Sequence, residues 1–412
     1  MEYTSEIQVI PCGNKSDCTG CGACAAACPK ECITMQPDEE GFVFPVTDIT
    51  QCNHCNFCQK TCPIWTKNGQ KENATDNGKK PLDVYAAWNL DSEIRQESSS
   101  GGVFSALAEY ILSKDGVVVG AAFDEQLVVH HIIIEDPSQL NRLRGSKYVQ
   151  SEISSRLYKS IRSYLQKGRT VLFSGTPCQI AGLHGYLHKE YNNLFCCDII
   201  CHGVPSPLFF NEYITYSQRN GRRILNIKFR EKLVGWKDFR VKQVFQNGTE
   251  IQNECKKMFL DPYMAGFLRD YCLRESCYRC AFASVSREGD LTIADFWGVG
   301  QKYPEYDKDD KGTSLVLVNT LKGKTWLEEI REKMFIGQAD LNTARINNGM
   351  LEKATRRPLE RNAFYSDLKK VSFKKLINKY ELCGPNIFHR VKFKVIHIKQ
   401  IIYRCIQSKN RR

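Results

Sequence analysis

Cys18-Thr19-Gly20-Cys21-Gly22-Ala23-Cys24-Ala25-Ala26-Ala27-Cys28-Pro29 is answered further along the chain by Cys52-Asn53-His54-Cys55-Asn56-Phe57-Cys58-Gln59-Lys60-Thr61-Cys62-Pro63. Both stretches space their cysteines C-x2-C-x2-C-x3-C-P. Thiolates at that spacing wrap cubane iron-sulfur clusters: three close round one cluster, and the fourth, displaced by the turn ahead of the proline, reaches the other. The expected ligand sets are therefore crossed, with Cys18, Cys21, Cys24 and Cys62 on one 4Fe-4S cluster and Cys52, Cys55, Cys58 and Cys28 on the other. Zinc knuckles or disulfides are the competing reading, but zinc sites usually pair two C-x2-C units across a longer gap.

This module resembles a two-cluster ferredoxin and is assigned residues 1–65. Between its cysteine runs, Cys32–Met35 and Gly41–Val46 read as short strands that cover the clusters with apolar side chains. The 412-residue chain is long enough for two or three domains. Its 20 cysteines do not describe a small disulfide scaffold, because eight are claimed as thiolate ligands that need a reducing compartment. No basic and apolar leader follows Met1, and no apolar run is long enough to span a bilayer, so a cytoplasmic protein is expected. The net charge of +12 is concentrated at one end. From Leu368 to Arg412 there are 13 Lys and Arg against one acid, Glu381, so a basic tail is expected and a nucleic-acid-binding surface is not.

Residues 66–81 turn polar and read as a linker. The body beyond it reads as mixed α/β, with residues 82–205 as a first part, 206–345 as a second and 346–412 as a basic helical tail. In the first part, Ser98–Gly102 opens a helix whose glycine pair would let an anion approach free backbone amides. Arg142–Ser151 gathers three cations, a glycine and two hydroxyls in a loop suited to phosphate. Ser174-Gly175-Thr176-Pro177-Cys178-Gln179 runs from a buried strand straight into a helix, the usual setting of an α/β ligand crevice. No G-x-G-x-x-G is present, which argues against a standard dinucleotide fold. His130 and His131 lie within a strand and read as structural.

From residue 224 the pattern alternates, and Gln246-Asn247-Gly248-Thr249 marks a hairpin in an antiparallel portion. Cys277 and Cys280 form a further C-x2-C pair that needs two more ligands. Cys178 and Cys201, both at strand ends, are the expected partners in a third cluster, with Cys272 in reserve. Cys12, Cys32, Cys196, Cys197, Cys255, Cys383 and Cys405 read as apolar fillers or surface thiols. A strand over Ser314–Asn319 and a helix over Trp326–Met334 follow. In the tail, Phe388, Val391, Val395, Ile398, Ile402 and Cys405 fall at helical spacing among basic residues, while Val391-Lys392-Phe393-Lys394-Val395 also alternates as a strand does. Peripheral membrane contact and docking on a partner protein are both open uses of such a helix.

Ser99–Ser105, Gly145–Ser151, Gly175–Gln179, Asp198–Pro207 and Asp295–Gly298 together resemble the beta subunit family of coenzyme F(420) hydrogenases and dehydrogenases, over roughly residues 83 to 300. The resemblance implies an FAD-containing, iron-sulfur oxidoreductase that exchanges electrons with a redox partner protein or a small-molecule donor. It places Ser100, Gly101, Gly102, Lys147, Gly175, Thr176 and Gln179 at the flavin, and it associates bacterial relatives with surface polysaccharide synthesis. No residue identifies the deazaflavin coenzyme as substrate, and no catalytic residue stands out. A simple ferredoxin-type carrier and a cluster-based redox sensor or assembly protein are the alternatives.

Overall fold

The computed structural model describes residues 11–70 and 80–384. Each cysteine run turns into a short helix, α1 (Ala23–Ala27) and α2 (Phe57–Thr61), entered through Gly22 and Asn56 in the left-handed region at φ 78° and 57°. The expected strands form as β1 (Ile33–Pro37) and β2 (Val43–Thr47), which pair antiparallel with Ile33 opposite Thr47. Helix α3 (Pro63–Gln70) then continues past Trp65 into the segment read as linker.

The body is built on a mixed eight-stranded sheet. Its strands in chain order are β3 (Asp83–Asn89), β4 (Val117–Phe123), β5 (Val129–Ile134), β6 (Val171–Gly175), β7 (Leu194–Ile199), β11 (Leu291–Asp295), β12 (Ser314–Val318) and β13 (Met334–Gln338). Strands β4, β6, β7 and β11 run parallel to their neighbours in that series, while β5, β12, β3 and β13 add antiparallel flanks. Helices cover both faces, so the parallel strands read as near-continuous apolar runs instead of alternating. Alternation decides which face each residue serves. Val118, Leu172 and Cys197 pack with α5 (Val103–Ser113) and with Leu327 of α10 (Leu321–Glu329). Val117, Val119, Val171, Phe173 and Cys196 pack with α6 (Ser155–Gln166) and α7 (Pro177–Leu187). Ala23 and Ala26 of α1 belong to that second core. The cysteine-rich module is thus built into the body. Beyond the last strand, Ala344 of α11 (Leu341–Ile346) joins Leu315 and Leu317 of β12 in a smaller core.

The alternating stretch forms a separate antiparallel sheet of β8 (Arg223–Glu231), β9 (Arg240–Asn247) and β10 (Glu250–Lys257). Its core takes in Phe209 and Tyr213 of α8 (Pro207–Ser217), Tyr263 of α9 (Pro262–Leu268), and Phe42 and Phe44 from the N-terminal module.

Three expectations need correcting. The predicted helix over Trp326–Met334 is displaced toward the N-terminus, because the Thr320 hydroxyl caps the chain at Gly323, and Met334 begins a strand. The serines before Gly102 do not cap α5: Ser98 Oγ turns back to Ile94 O at the end of α4 (Ser92–Glu97), and Gly102 itself is the cap at φ 89°. The region read as a tail from residue 346 is structured in its described part. Phe364 and Leu368 of α12 (Arg361–Lys370) and Phe373 and Leu376 of α13 (Phe373–Lys379) lie in the aromatic core. The basic segment 385–412, where membrane or partner contact was expected, lies outside the described residues, as does Cys405. Among the described residues no helix is long and apolar enough to cross a membrane.

Candidate iron-sulfur and cofactor site

Parallel strands deliver side chains at their C-terminal ends. Here β6 ends at Gly175, β7 at Ile199 and β11 at Asp295. Cys178 stands in the first turn of α7 directly beyond β6, and the loops after β7 and β11 carry Cys201 and the segment Phe296–Gly298. The C-x2-C pair arrives from outside the sheet, Cys277 within a short 3-10 turn over Glu275–Arg279 and Cys280 as the residue that ends it. Cys178, Cys201, Cys277 and Cys280 line one cavity. Burial pushes the Cys178 thiol well up, Cys201 up to about 12 and Cys277 up to about 11. Thiols buried this way are uncharged without a positive centre among them; a bound cation inverts that preference.

A second cavity, in the module, is lined by Cys18, Cys21, Cys24 and Cys62, with Met35, Pro45 and Ile64 as apolar cover. Thr19 lines both cavities. The two cavities share an apolar boundary: Cys18, Cys62, Cys178 and Cys280 pack against one buried cluster of Cys12, Ile64, Ala181 and Phe282. Cys28, Cys52 and Cys58 pack separately, against Cys24, Ala25, Cys32 and Ile33, while Cys55 is exposed. Among the described residues no three His, Cys, Asp or Glu are arranged about a single ion. The first-run set and the body set each line a cavity, the placement that ligands on separate iron atoms of a cage would take.

Two of the cysteines read as fillers, Cys12 and Cys32, are buried as expected and also adjoin the expected ligands. Cys12, read as a filler, lines the module cavity, where its hydrogen bonds with Cys18 and Cys62 lower those thiols and raise its own. Cys32 lies with its sulfur 3.4 Å from Cys28 Sγ. Cys272, held in reserve, is fully buried in the aromatic core. Cys196 and Cys197 are core residues of β7, as expected.

Close approach of module and body depends on α7. A Cβ on Gly182 would fall 2.9 Å from Cys21 Sγ, and one on Gly185, a turn away, 2.2 Å from Thr61 O. Tyr158 OH donates to Cys21 O at 2.8 Å, and Thr61 Oγ1 meets His188 Nε2 at 3.1 Å.

The seven residues assigned to a flavin gather along the same sheet edge, yet several are occupied. Gly101 N–H donates to Ser314 Oγ at 2.9 Å, and a Cβ there would meet Ala87 O at 2.3 Å, so this glycine serves packing against β3 and β12. Ser100 Oγ donates to Thr313 O. Gln179 completes a capping box with Thr176 and reaches Ser151 O through its amide, while Gly175 sits tightly over it. Lys147 differs. Its ammonium donates to Arg142 O and Arg144 O, both at 2.8 Å, and burial pushes it down to about 7. The same region holds groups that sequence reasoning did not single out. Arg230 pairs with Asp295 through both nitrogens (2.7 and 2.8 Å) and donates to Ser99 O, while Trp236 stacks on Trp297 at 4.4 Å. His131 is structural, as read: buried, stacked on Phe173, with its ring nitrogens on Ser151 Oγ and Ser174 O.

Comparison with known proteins bears on these features. Residues 17–65 match the 4Fe-4S dicluster domain, residues 84–157 the N-terminal part of the coenzyme F420 hydrogenase/dehydrogenase beta subunit, and residues 168–343 its C terminus. A subunit of the F(420)H(2) dehydrogenase of Methanosarcina mazei is 26% identical over 321 residues, which cover 71% of this chain and 83% of that one. An uncharacterized ferredoxin of Methanocaldococcus jannaschii is 36% identical over 50 residues, 12% of this chain and 64% of the ferredoxin. A chain of the F420-reducing NiFe hydrogenase complex from Methanosarcina barkeri, solved as a xenon derivative, aligns at 16% identity with a TM-score of 0.44, covering 68% of this chain and 97% of that one.

Proposed function

We infer the working of a chain that belongs to the coenzyme F420 hydrogenase/dehydrogenase beta subunit family and carries a 4Fe-4S dicluster domain ahead of it. It is an iron-sulfur, electron-transferring oxidoreductase. The finer reading is a relay in which three thiol sets hold three clusters in series and the sheet edge beyond holds a flavin. The sets are Cys28/Cys52/Cys55/Cys58, Cys18/Cys21/Cys24/Cys62 and Cys178/Cys201/Cys277/Cys280.

The observation that carries this reading is the buried cluster of Cys12, Ile64, Ala181 and Phe282, against which thiols of the first-run set and of the body set both pack. Two independent sites would not need to share it. The bound groups would supply one-electron steps at the clusters and two-electron chemistry at the flavin. The chain's own residues supply the spacing. Gly182 and Gly185 let α7 approach the module, Met35 and Pro45 keep water from the module cavity, and exposed Cys55 leaves the outermost set facing solvent. Lys147 is the residue best suited to an anionic cofactor, since its ammonium has only carbonyl partners and an arriving anion would restore its charge.

The Methanosarcina mazei relative is named as a subunit, which supports a partner protein as the source or destination of the electrons. A place beside surface polysaccharide synthesis has the sequence resemblance alone behind it. Anaerobic purification followed by absorbance spectroscopy tests the flavin. Denaturation should release a flavin chromophore alongside the iron, and iron without flavin would reduce the chain to a cluster-only electron carrier.

A further inference from the structure

Four arginines are buried among the described residues: Arg95, Arg230, Arg274 and Arg361. Three have a carboxylate within reach. Arg95 pairs with Asp309 at 2.7 Å, Arg230 with Asp295 at 2.7 Å and Arg361 with Glu40 at 2.6 Å. Arg274, at 1% exposure the most deeply buried of the four, has none among the described residues. Its partners are neutral oxygens: Cys18 O at 2.7 Å, Val43 O at 3.0 Å and Gln150 Oε1 at 3.4 Å, with Phe44 stacked 4.0 Å below the guanidinium. A buried cation without a counter-charge is strongly unfavourable, and an arginine does not escape by losing its proton.

Its position suggests where the counter-charge lies. Arg274 lines the cavity of Cys178, Cys201, Cys277 and Cys280, and its backbone holds that site, with its N–H on Val204 O and its carbonyl accepting from Cys277 N–H. Its side chain crosses to the first cysteine run and seats against Gly20. A Cβ on Gly20, which is at φ 71°, would come within 2.9 Å of Arg274 Nη1 and 2.5 Å of Gln150 Nε2. The glycine inside the Cys18–Cys21 loop thus admits the guanidinium.

We propose that Arg274 is the shared counter-cation of two cluster sites, the Cys18/Cys21/Cys24/Cys62 set and the Cys178/Cys201/Cys277/Cys280 set, and that it raises the reduction potential of both relative to the Cys28/Cys52/Cys55/Cys58 set. A four-thiolate 4Fe-4S cluster carries charge 2− when oxidised and takes one electron to reach 3−, with no bond made or broken. A fixed positive charge beside it favours the reduced form. The third set packs with Cys24, Ala25, Cys32 and Ile33, none of which is among the hydrogen-bond or ring partners of Arg274. An electron entering at the exposed end is therefore drawn inward to the junction of module and body. This rests on the three-cluster reading above.

The test is an EPR-monitored redox titration of the full chain, purified anaerobically and reduced stepwise with dithionite, after iron content and the wild-type signals have established which clusters are present. Missing clusters in the wild type would refute the relay itself, separately from the role of Arg274. With the clusters loaded, Arg274→Gln should move two midpoint potentials to more negative values and leave one in place, and Arg274→Lys, which keeps the charge, should restore most of the shift. Should Arg274→Gln fail to fold, Gln150→Glu leaves the guanidinium in place and sets a carboxylate against it; the same two potentials should fall. Loaded variants with unmoved potentials, or with all three moved alike, would overturn the proposal.

Discussion

Gly182 of α7 and Cys21 of the first cysteine run are in such close contact that a single added methyl group would stand 2.9 Å from the cysteine's sulfur and 3.0 Å from its Cβ. No ordinary side chain fits that gap. Gly182→Ala should therefore push α7 off the module, costing about 1–3 kcal/mol as overpacking does. Thermal unfolding and iron content check it together: both should fall, while Gly349→Ala, where a Cβ would meet nothing within 4 Å, should leave both at wild-type values. Equal behaviour of the two variants would mean that the contact carries no constraint.

Lys147 gives a pH signature. Burial pushes its ammonium down to about 7, so it is charged below that pH and neutral above it. An anionic cofactor bound there raises the value again. By linkage, affinity is highest below about pH 7 and declines as the pH climbs through the free-state value toward the bound-state one. Flavin retained after gel filtration at a series of pH values should follow that decline, and Lys147→Met should bind less and lose the dependence in this window. A variant with the wild-type profile would remove Lys147 from the site.

His131 sets an acid limit on stability. Burial lowers it to about 4, below its unfolded value of about 6.5. The neutral ring's contribution is complete above the unfolded value and is lost as the pH falls from there toward the folded one, up to roughly 3 kcal/mol. Urea midpoints at about pH 7 and pH 5 should differ more for the wild type than for His131→Gln. Identical differences would assign the acid sensitivity elsewhere.

What could be read from the sequence followed the range of the interactions involved. The paired cysteine runs were legible because their ligand spacing is local, and the meeting of Cys178 and Cys201 because strands of a parallel sheet carry their ends to one edge. Arg274 was not legible: 256 positions separate it from Cys18, and nothing near it in sequence marks it as a bridge. Gly182 and Gly185 looked like ordinary helix residues, since their reason lies in Cys21 and Thr61 across the interface. In Arg361–Lys379 the abundant lysines suggested part of a basic helical tail, and the segment is helical, yet Phe364, Leu368, Phe373 and Leu376 turn one face into the aromatic core. Gly101 answers a demand from outside its own segment as well. Its place ahead of a helix suggested anion binding, while its amide and its missing side chain both serve the sheet beneath.

The central claim is that the body carries a cluster of its own, continuous with those of the module. Iron and acid-labile sulfide measured on the anaerobically purified full chain and on Cys277→Ser/Cys280→Ser test it most directly. The account predicts about twelve iron atoms per chain, falling to about eight in the variant with the two module signals intact. About eight in both would contradict it.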